Sequence, residues 1–253
     1  MLVATASLAG RRWGHAISGW LVGFPFTSGP ITLFLALDHG PTFAANAALG
    51  AMTGVLAGAA VALSYMAVAR LGRGTTPSLA AGAVAFGIAG AVLRQIELAA
   101  LPLAAVIVVV LPVAIRLAPD PGHITGLPLP WWDLPARMLV ATGLVLAVTA
   151  AAVALGPRLS GLLATIPLYA MILAGFGHRL AGPAAAIGVW RGLLFGLFGF
   201  GGFYLALALA LEPLGIVAAF ALAIVTAVAI QSVTLAVLRP YRGSGSIPPP
   251  ASR

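Results

Sequence analysis

Cysteine is absent from the 253-residue chain and so is lysine, since all thirteen basic residues are arginine. Without cysteine the chain can form no disulfide bond, no thiolate metal site and no cysteine nucleophile. Charge is scarce as well: only 7% of the residues are charged, whereas 61% are apolar. A soluble domain has about 25% charged and about 45–50% apolar residues, so the chain has too few charges to cover a water-soluble surface. The composition argues against an aqueous enzyme, a nucleic-acid-binding protein and a disordered chain, and it predicts an all-α, polytopic integral membrane helical bundle.

Apolar runs long enough to cross a bilayer occur eight times. A transmembrane helix needs about 20 residues, within a range of about 17–25. Residues 2–9 are also apolar, but at about 1.5 Å per residue they reach only about 12 Å; they form either an interfacial segment or the end of a helix that begins upstream of Met1. The N-terminus has no basic segment, so we expect no cleaved signal peptide. The eight predicted spans are 13–37, 42–69, 76–93, 97–116, 136–155, 159–177, 183–211 and 214–238.

The arginines divide unequally between the two sides that these spans define. One side receives ten arginines and the other receives two, while Arg191 lies inside a span. Because arginine is enriched in cytoplasmic loops, the ten-arginine side is predicted to be cytoplasmic. The sequence therefore predicts a multi-pass protein of the bacterial inner (plasma) membrane with a cytoplasmic C-terminus. The ten are Arg11, Arg12, Arg70, Arg73, Arg116, Arg137, Arg179, Arg239, Arg242 and Arg253; the two are Arg94 and Arg158.

An internal repeat relates the two halves of the chain. A shift of 142 residues aligns 14–54 with 156–196 without a gap, and 11 of these 41 positions are identical; composition alone would give roughly four or five. Five spans, an odd number, separate the starts of the copies, so the second copy is expected to enter the membrane from the opposite face. Inverted repeats recur in secondary transporters, whose binding sites form near the midplane at interrupted helices; duplication also builds bundles that transport nothing. The predicted organisation is a first membrane half at 1–116, a cytoplasmic loop at 117–135, a second membrane half at 136–238 and a disordered cytoplasmic tail at 239–253.

Two equivalent spans each contain a proline, Pro25 in the first copy and Pro167 in the second. Proline removes a backbone donor and clashes with the carbonyl four residues back, and the freed groups need new partners in hydrocarbon. Pro25 with Gly29 and Pro30 is predicted to interrupt its span, although a simple kink satisfied by neighbouring helices explains the prolines equally well. The candidate substrate-binding residues at these bends are Pro25, Thr27, Ser28, Thr165, Pro167 and Tyr169.

Arg191 is a seventh candidate for substrate binding. It lies about eight residues into its span, or about 12 Å from the cytoplasmic end. An arginine inside the membrane is by default a functional hypothesis, here as the counter-charge of an anionic substrate group. The alternative is that its long side chain snorkels to the cytoplasmic headgroups.

The sequence offers little else for chemistry. No acidic residue falls in the middle of a span and the four histidines lie near span ends or in loops, which argues against a buried proton carrier; a Na⁺ site made of carbonyls and hydroxyls stays open. We expect no catalytic residue, no metal-ligand cluster, no cofactor and no nucleic-acid partner. The expected partners are the lipid bilayer and an unknown small-molecule or lipid substrate, with a homo-oligomer left open.

The stretch Ser160-Gly-Leu-Leu-Ala-Thr-Ile-Pro-Leu-Tyr-Ala, followed by Gly182 and Ala186, resembles the small four-helix GlpM-like inner-membrane proteins, and the whole chain looks like a duplicated relative of them. The resemblance implies a bacterial inner-membrane protein and is compatible with a permease. It implies no catalytic residue in this chain. The sequence thus predicts a permease or translocator of a small or lipid-like substrate, with an anionic group if Arg191 binds it. The alternative is a non-transporting membrane scaffold or assembly partner.

Overall fold

A computed structural model describes residues 2–26, 28–93, 95–96, 98–121, 132, 135–136, 138–140, 142–143 and 166–238. Among these residues the chain is helical and contains no strand, which confirms the predicted all-α class. The predicted span 136–155, most of the loop 117–135 and the tail 239–253 lie largely or wholly outside this part of the chain. Eight helices have defined bounds: α1 (Leu2–Trp13), α2 (His15–Val22), α3 (Ser28–His39), α4 (Pro41–Arg70), α5 (Thr75–Leu93), α6 (Ala100–Leu117), α7 (Leu168–Ala181) and α8 (Pro183–Leu238).

Four of the described helices, α4, α5, α6 and α8, are long and apolar enough to cross a membrane. This finding supports a membrane protein, as the composition predicted. Helix α8 has 56 residues and covers two of the predicted spans. Gly215 divides it into two parts, because this residue has a non-helical conformation of φ 75° and ψ 173°. We therefore treat it as α8a (183–214) and α8b (216–238). The predicted span 13–37 is divided between α2 and α3.

Two corners of the fold have the same backbone conformation. Gly40 lies between α3 and α4 with φ 89° and ψ 167°, and Gly182 lies between α7 and α8 with φ 83° and ψ 178°. Such positive φ values are accessible to glycine without the steric cost that a Cβ brings. Each glycine is followed by a proline at the first helical position, Pro41 or Pro183, where its missing N–H is not needed. The same Gly-Pro pair thus starts the two long helices.

The core lies between α4 and α8a, which run antiparallel. Tyr65 near the end of α4 contacts Trp190 near the start of α8a, with ring centroids 5.3 Å apart. Further back along α4, Gly58 packs against Leu197. The largest fully buried side chains belong mainly to these two helices: Trp190, Tyr65, Tyr204, Met52, Met66, Leu194, Leu207, Leu211 and Val55.

Helices α5, α6 and α8b form an apolar exterior. Each of them leaves large aliphatic side chains uncovered, among them Val84 and Ile88 on α5, both 61% exposed. A soluble protein rarely exposes such long apolar faces, whereas lipid covers them at no cost in a membrane. The other strongly exposed aliphatic residues on these helices include Val92, Leu101, Val108, Val109, Val217, Val225 and Val233.

Candidate functional site

The helix break predicted at Pro25 is present. Helix α2 ends at Val22 and α3 begins at Ser28, so the polar backbone between them leaves the regular helical ladder. The structure places Gly29 and Pro30, which were expected to share in this break, in the first turn of α3. Proline is tolerated there, since the first N–H groups of a helix have no partner within it.

One backbone hydrogen bond recurs after the two prolines. The Gly29 amide donates to the Pro25 carbonyl oxygen at 2.8 Å, and the Met171 amide donates to the Pro167 carbonyl oxygen at 2.9 Å. These two hydrogen bonds are related by the 142-residue shift, although α3 begins three residues after Pro25 and α7 begins directly after Pro167. Thr27 and Thr165, which were predicted to contribute hydroxyl groups, lie outside the described residues.

Pro167 and Tyr169 lie at the start of α7 and are both half-buried. The Tyr169 side chain packs against the main hydrophobic core. Helix α7 contacts α2 as well as α8. The helix that follows Pro167 therefore packs against the helix that leads to Pro25.

Four glycines place α2 and α8a in direct backbone contact beside the break. A Cβ built on Gly19 would overlap the Val189 carbonyl oxygen, and one built on Gly192 would overlap the Ala16 carbonyl oxygen. Small residues four apart allow such close approach of membrane helices. Gly192 and Gly196 thus serve helix packing, and their partners lie about 170 residues earlier in the chain. The contact is formed by Gly19 and Gly23 on α2 and by Gly192 and Gly196 on α8a.

A buried chain of hydrogen bonds lies next to this crossing. The Trp20 indole Nε1 donates to the Thr234 hydroxyl at 3.0 Å, and the Thr234 hydroxyl lies 3.0 Å from Gln231 Oε1. Gln231 Nε2 in turn donates to the Gly196 carbonyl oxygen at 3.2 Å. Gln231 is only 1% exposed. The chain links α2, α8b and α8a, and it involves no charged group.

A second polar cluster joins the first turns of α3 to α8a. The Thr32 hydroxyl donates to the Ser28 carbonyl oxygen at 2.9 Å and accepts from the Tyr204 hydroxyl at 3.3 Å. Tyr204 is 1% exposed. The backbone carbonyl of Ser28, a candidate binding residue, is thus linked to α8a through Thr32.

A third polar cluster joins α4 to α7. The Tyr65 hydroxyl lies 3.1 Å from His178 Nδ1 and 3.5 Å from the Ala174 carbonyl oxygen. Its ring contacts Trp190, whose buried Nε1 has no hydrogen-bond partner among the described residues. His178 is 8% exposed, so a histidine near a span end is nevertheless part of the bundle interior.

Arg191 is bonded to the end of a neighbouring helix. Its Nη1 donates to the Ala118 carbonyl oxygen at 2.8 Å and to the Pro119 carbonyl oxygen at 3.1 Å. Both carbonyls follow the last residue of α6, where a helix lacks donors and carries partial negative charge. This geometry gives Arg191 a structural partner that neither the anion-binding nor the snorkelling interpretation considered. Its role in substrate binding stays a prediction.

Four polar residues of these clusters were not predicted from the sequence: Gln231, Thr234, Tyr204 and Tyr65. Thr32 was expected, together with Thr27 and Ser28, to supply a hydroxyl group at the break. The other four lie within long apolar helices, which is the signal that could have identified them. Their partners come from distant parts of the chain and could not be inferred from spacing. Comparisons of the chain with protein-family models, with curated proteins and with solved structures found no match, so the resemblance to the GlpM-like proteins stays a prediction.

Proposed function

We propose that the protein is an inner-membrane permease or translocator that works without ATP and binds a small or lipid-like substrate between two broken helices. The observation that carries this proposal is that a helix begins shortly after each of Pro25 and Pro167, with the same backbone hydrogen bond at an equivalent position. Transporters use interrupted helices in this way because the freed backbone groups can bind substrate.

The depth of the first break supports a binding site near the midplane. Helix α2 supplies eight residues before the break and α3 supplies twelve after it, which correspond to about 12 Å and about 18 Å. Together they match the hydrocarbon thickness of about 30 Å. The break then lies well inside the membrane, where unpaired backbone groups are costly unless protein, water or substrate satisfies them.

The antiparallel pairing of α4 with α8a supports the inverted repeat that this proposal includes. These two helices begin at the equivalent residues Pro41 and Pro183, and in an inverted repeat they must run in opposite directions. Under the 142-residue shift Gly58 corresponds to position 200 and Leu197 to position 55. A two-fold axis that exchanges the copies would therefore pair the Gly58–Leu197 contact with a contact between positions 55 and 200. The packing of Val55 against Gly201 lies one residue away, as a pseudo-two-fold axis between α4 and α8a requires.

The proposal keeps all eight predicted spans and the cytoplasmic placement of the C-terminus. Helices α4, α5, α6, α8a and α8b each supply one span, α2 with α3 supplies another, and α7 supplies the second half of the span that follows 136–155. The arginine asymmetry supports this orientation. The polar side chains described around the breaks are hydroxyl, indole and amide groups, which suit a neutral polar part of a substrate; an anionic part would require Arg191 to release Ala118 and Pro119.

Cysteine accessibility tests the proposal, because the natural chain contains no cysteine. Single cysteines would replace Thr27, Ser28, Thr165 and Tyr169, and each variant would be exposed to a membrane-impermeant thiol reagent. We expect labelling at these positions, because a translocator needs a water-filled path at this depth. An Arg73→Cys variant serves as the accessible control, and Ile88→Cys, on the exposed apolar face of α5, serves as the lipid-covered control.

Complete protection of all four positions, at the level of Ile88→Cys, would instead favour a membrane scaffold. The close glycine contacts between α2 and α8a are the observation that fits this alternative, since they make this part of the bundle compact. A comparison of metabolite and lipid pools in a deletion strain would then identify the substrate if labelling is found, and would show no accumulated compound for a scaffold.

A further inference from the structure

Two buried tyrosines occupy related places in the fold. Tyr65 on α4 reaches α7, where its hydroxyl lies 3.5 Å from the Ala174 carbonyl oxygen and 3.1 Å from His178 Nδ1. Tyr204 on α8a reaches α3, where its hydroxyl lies 3.3 Å from Thr32 Oγ1. Thr32 and Ala174 are equivalent positions under the 142-residue shift. Each tyrosine therefore connects the long helix of one copy to the helix that follows the proline of the other copy.

The two tyrosines lie on opposite sides of the helix break. Tyr65 is level with Trp190 because their rings are in contact, and Tyr204 follows Trp190 by fourteen residues, or about 21 Å along α8a. Between these levels, Gly196 of α8a contacts Gly23 at the end of α2. The break before Pro25 is thus flanked by one tyrosine contact toward each end of α8a.

We propose that these contacts are the two gates of the broken-helix site, with Tyr65 closing the cytoplasmic side and Tyr204 closing the outer side. This inference rests on the proposed function and the proposed orientation. Both tyrosines are fully buried and both hydroxyls are bonded, so the structure corresponds to a state in which both gates are closed.

The strength of these contacts suits a gate. Each depends on a single tyrosine hydroxyl at 3.1–3.3 Å from its nearest partner. Hydrogen bonds between membrane helices are individually weak, so one of them can be exchanged for water without unfolding the bundle. Opening one gate while the other stays closed would expose the break to one side of the membrane at a time, as alternating access requires.

The test measures from which face the site is reached. A single cysteine at Thr27 or Tyr169 is the reporter, and its rate of labelling by an impermeant thiol reagent is measured in right-side-out and in inverted vesicles. Tyr204→Phe should raise the rate from the outer face by about three- to tenfold, the population change expected for the loss of one hydrogen bond, and should leave the rate from the cytoplasmic face unchanged. Tyr65→Phe should have the opposite effect.

A second variant and a matched control separate gating from a general loss of packing. Thr32→Val removes the acceptor but keeps the Tyr204 ring, so it should reproduce the effect of Tyr204→Phe. Ser232→Ala removes the hydroxyl of an exposed residue on α8b, which among the described residues bonds within its own helix, and it should change neither rate. All variants would first be checked for monodisperse elution in detergent.

The results distinguish the gates from the proposed function itself. The gate assignment is wrong if the reporter cysteine is labelled but Tyr65→Phe and Tyr204→Phe change the labelling rates from both faces equally, or change neither rate. The site would then still be open to water. If no reporter is labelled from either face in any variant, both the gates and the permease are wrong. Opposite effects of the two substitutions on the two faces support the gates.

Discussion

Several buried polar side chains in this bundle have hydrogen-bond partners on other helices. Thr234 lies between Trp20 and Gln231, and its hydroxyl accepts from the first while lying within bonding distance of the second. No charge is available in this network, so its stabilising effect comes from keeping each donor and acceptor paired inside an apolar surrounding. Because Thr234 connects the other two residues, its substitution should destabilise the network most.

The substitution Thr234→Val tests this. Valine keeps the branched shape but leaves the buried Trp20 Nε1 without its acceptor, so we expect a loss of about 1–2 kcal/mol in the free energy of unfolding. Reversible unfolding of the protein in mixed detergent micelles measures it. The control is Ser232→Ala two residues away, which should cost less than about 0.5 kcal/mol. Ser232 is exposed, and among the described residues its hydroxyl bonds the Val228 carbonyl oxygen of its own helix. Equal losses for the two variants would show that the network does not stabilise the fold.

Arg191 gives a second prediction for a single side chain. Arg191→Gln removes a charged donor from the Ala118 and Pro119 carbonyls at the end of α6, and we expect a loss of about 2 kcal/mol in stability. Thermal unfolding in detergent provides the measurement. Arg116→Gln is the matched control, since Arg116 is an exposed residue in the last turn of the same helix. If both variants melt at the same temperature, Arg191 has no structural role and the substrate-binding interpretation gains support.

The candidate site could be predicted from the sequence only where a residue acts on its own backbone. Pro25 interrupts its helix through its own ring and missing donor, so the break was visible in advance. The partner of Arg191 was not, because Ala118 is 73 residues away along the chain and a backbone carbonyl has no signature in the sequence. Gln231 was overlooked for the same reason, as its role depends on Gly196.

At the scale of helices, the bounds followed from hydropathy. The predicted span 42–69 corresponds to α4 (Pro41–Arg70) and 76–93 to α5 (Thr75–Leu93), because glycine and proline mark their ends. The N-terminal segment 2–9 was too short in the prediction: α1 continues to Trp13, and Gly14, with φ 97°, separates it from α2. The prediction placed this boundary at Arg11 and Arg12, because charged residues end an apolar run, whereas the structure places the corner at Gly14.

The closest helix contact gives a prediction at this scale. Gly19→Ala or Gly192→Ala would place a methyl group against a backbone carbonyl oxygen, and neither backbone can move without separating α2 from α8a. We expect a loss of at least about 2–3 kcal/mol, at the upper end of the usual cost of overpacking. Unfolding in detergent measures it.

Gly87→Ala on α5 is the matched control for both alanine variants. A Cβ at Gly87 would meet no atom of the described residues within 4 Å, and alanine favours the helix by up to about 1 kcal/mol. This variant should be as stable as the natural protein or more so. If all three alanine variants lose similar stability, the close contact between α2 and α8a is not the cause of the loss.

At the scale of the whole molecule, the proposed inverted repeat depends on the directions in which α4 and α8a run. Helix α3 ends at His39 before the Gly40-Pro41 corner, and α7 ends at Ala181 before the Gly182-Pro183 corner. The corners have nearly the same backbone conformation, yet the helices that follow them are antiparallel. If both helices span the membrane, as proposed, their opposite directions would place the two corners on opposite faces.

Labelling of the two corners tests the inverted arrangement. Single cysteines at the exposed positions His39 and Arg179, in an otherwise cysteine-free chain, should react with an impermeant thiol reagent from opposite faces: His39→Cys from the outer face and Arg179→Cys from the cytoplasmic face. The arginine distribution sets this orientation, and Arg73→Cys marks the cytoplasmic side as a control. Labelling of both corners from the same face would remove the pseudo-two-fold axis, and with it the reason for placing the segments after Pro25 and Pro167 in one substrate site.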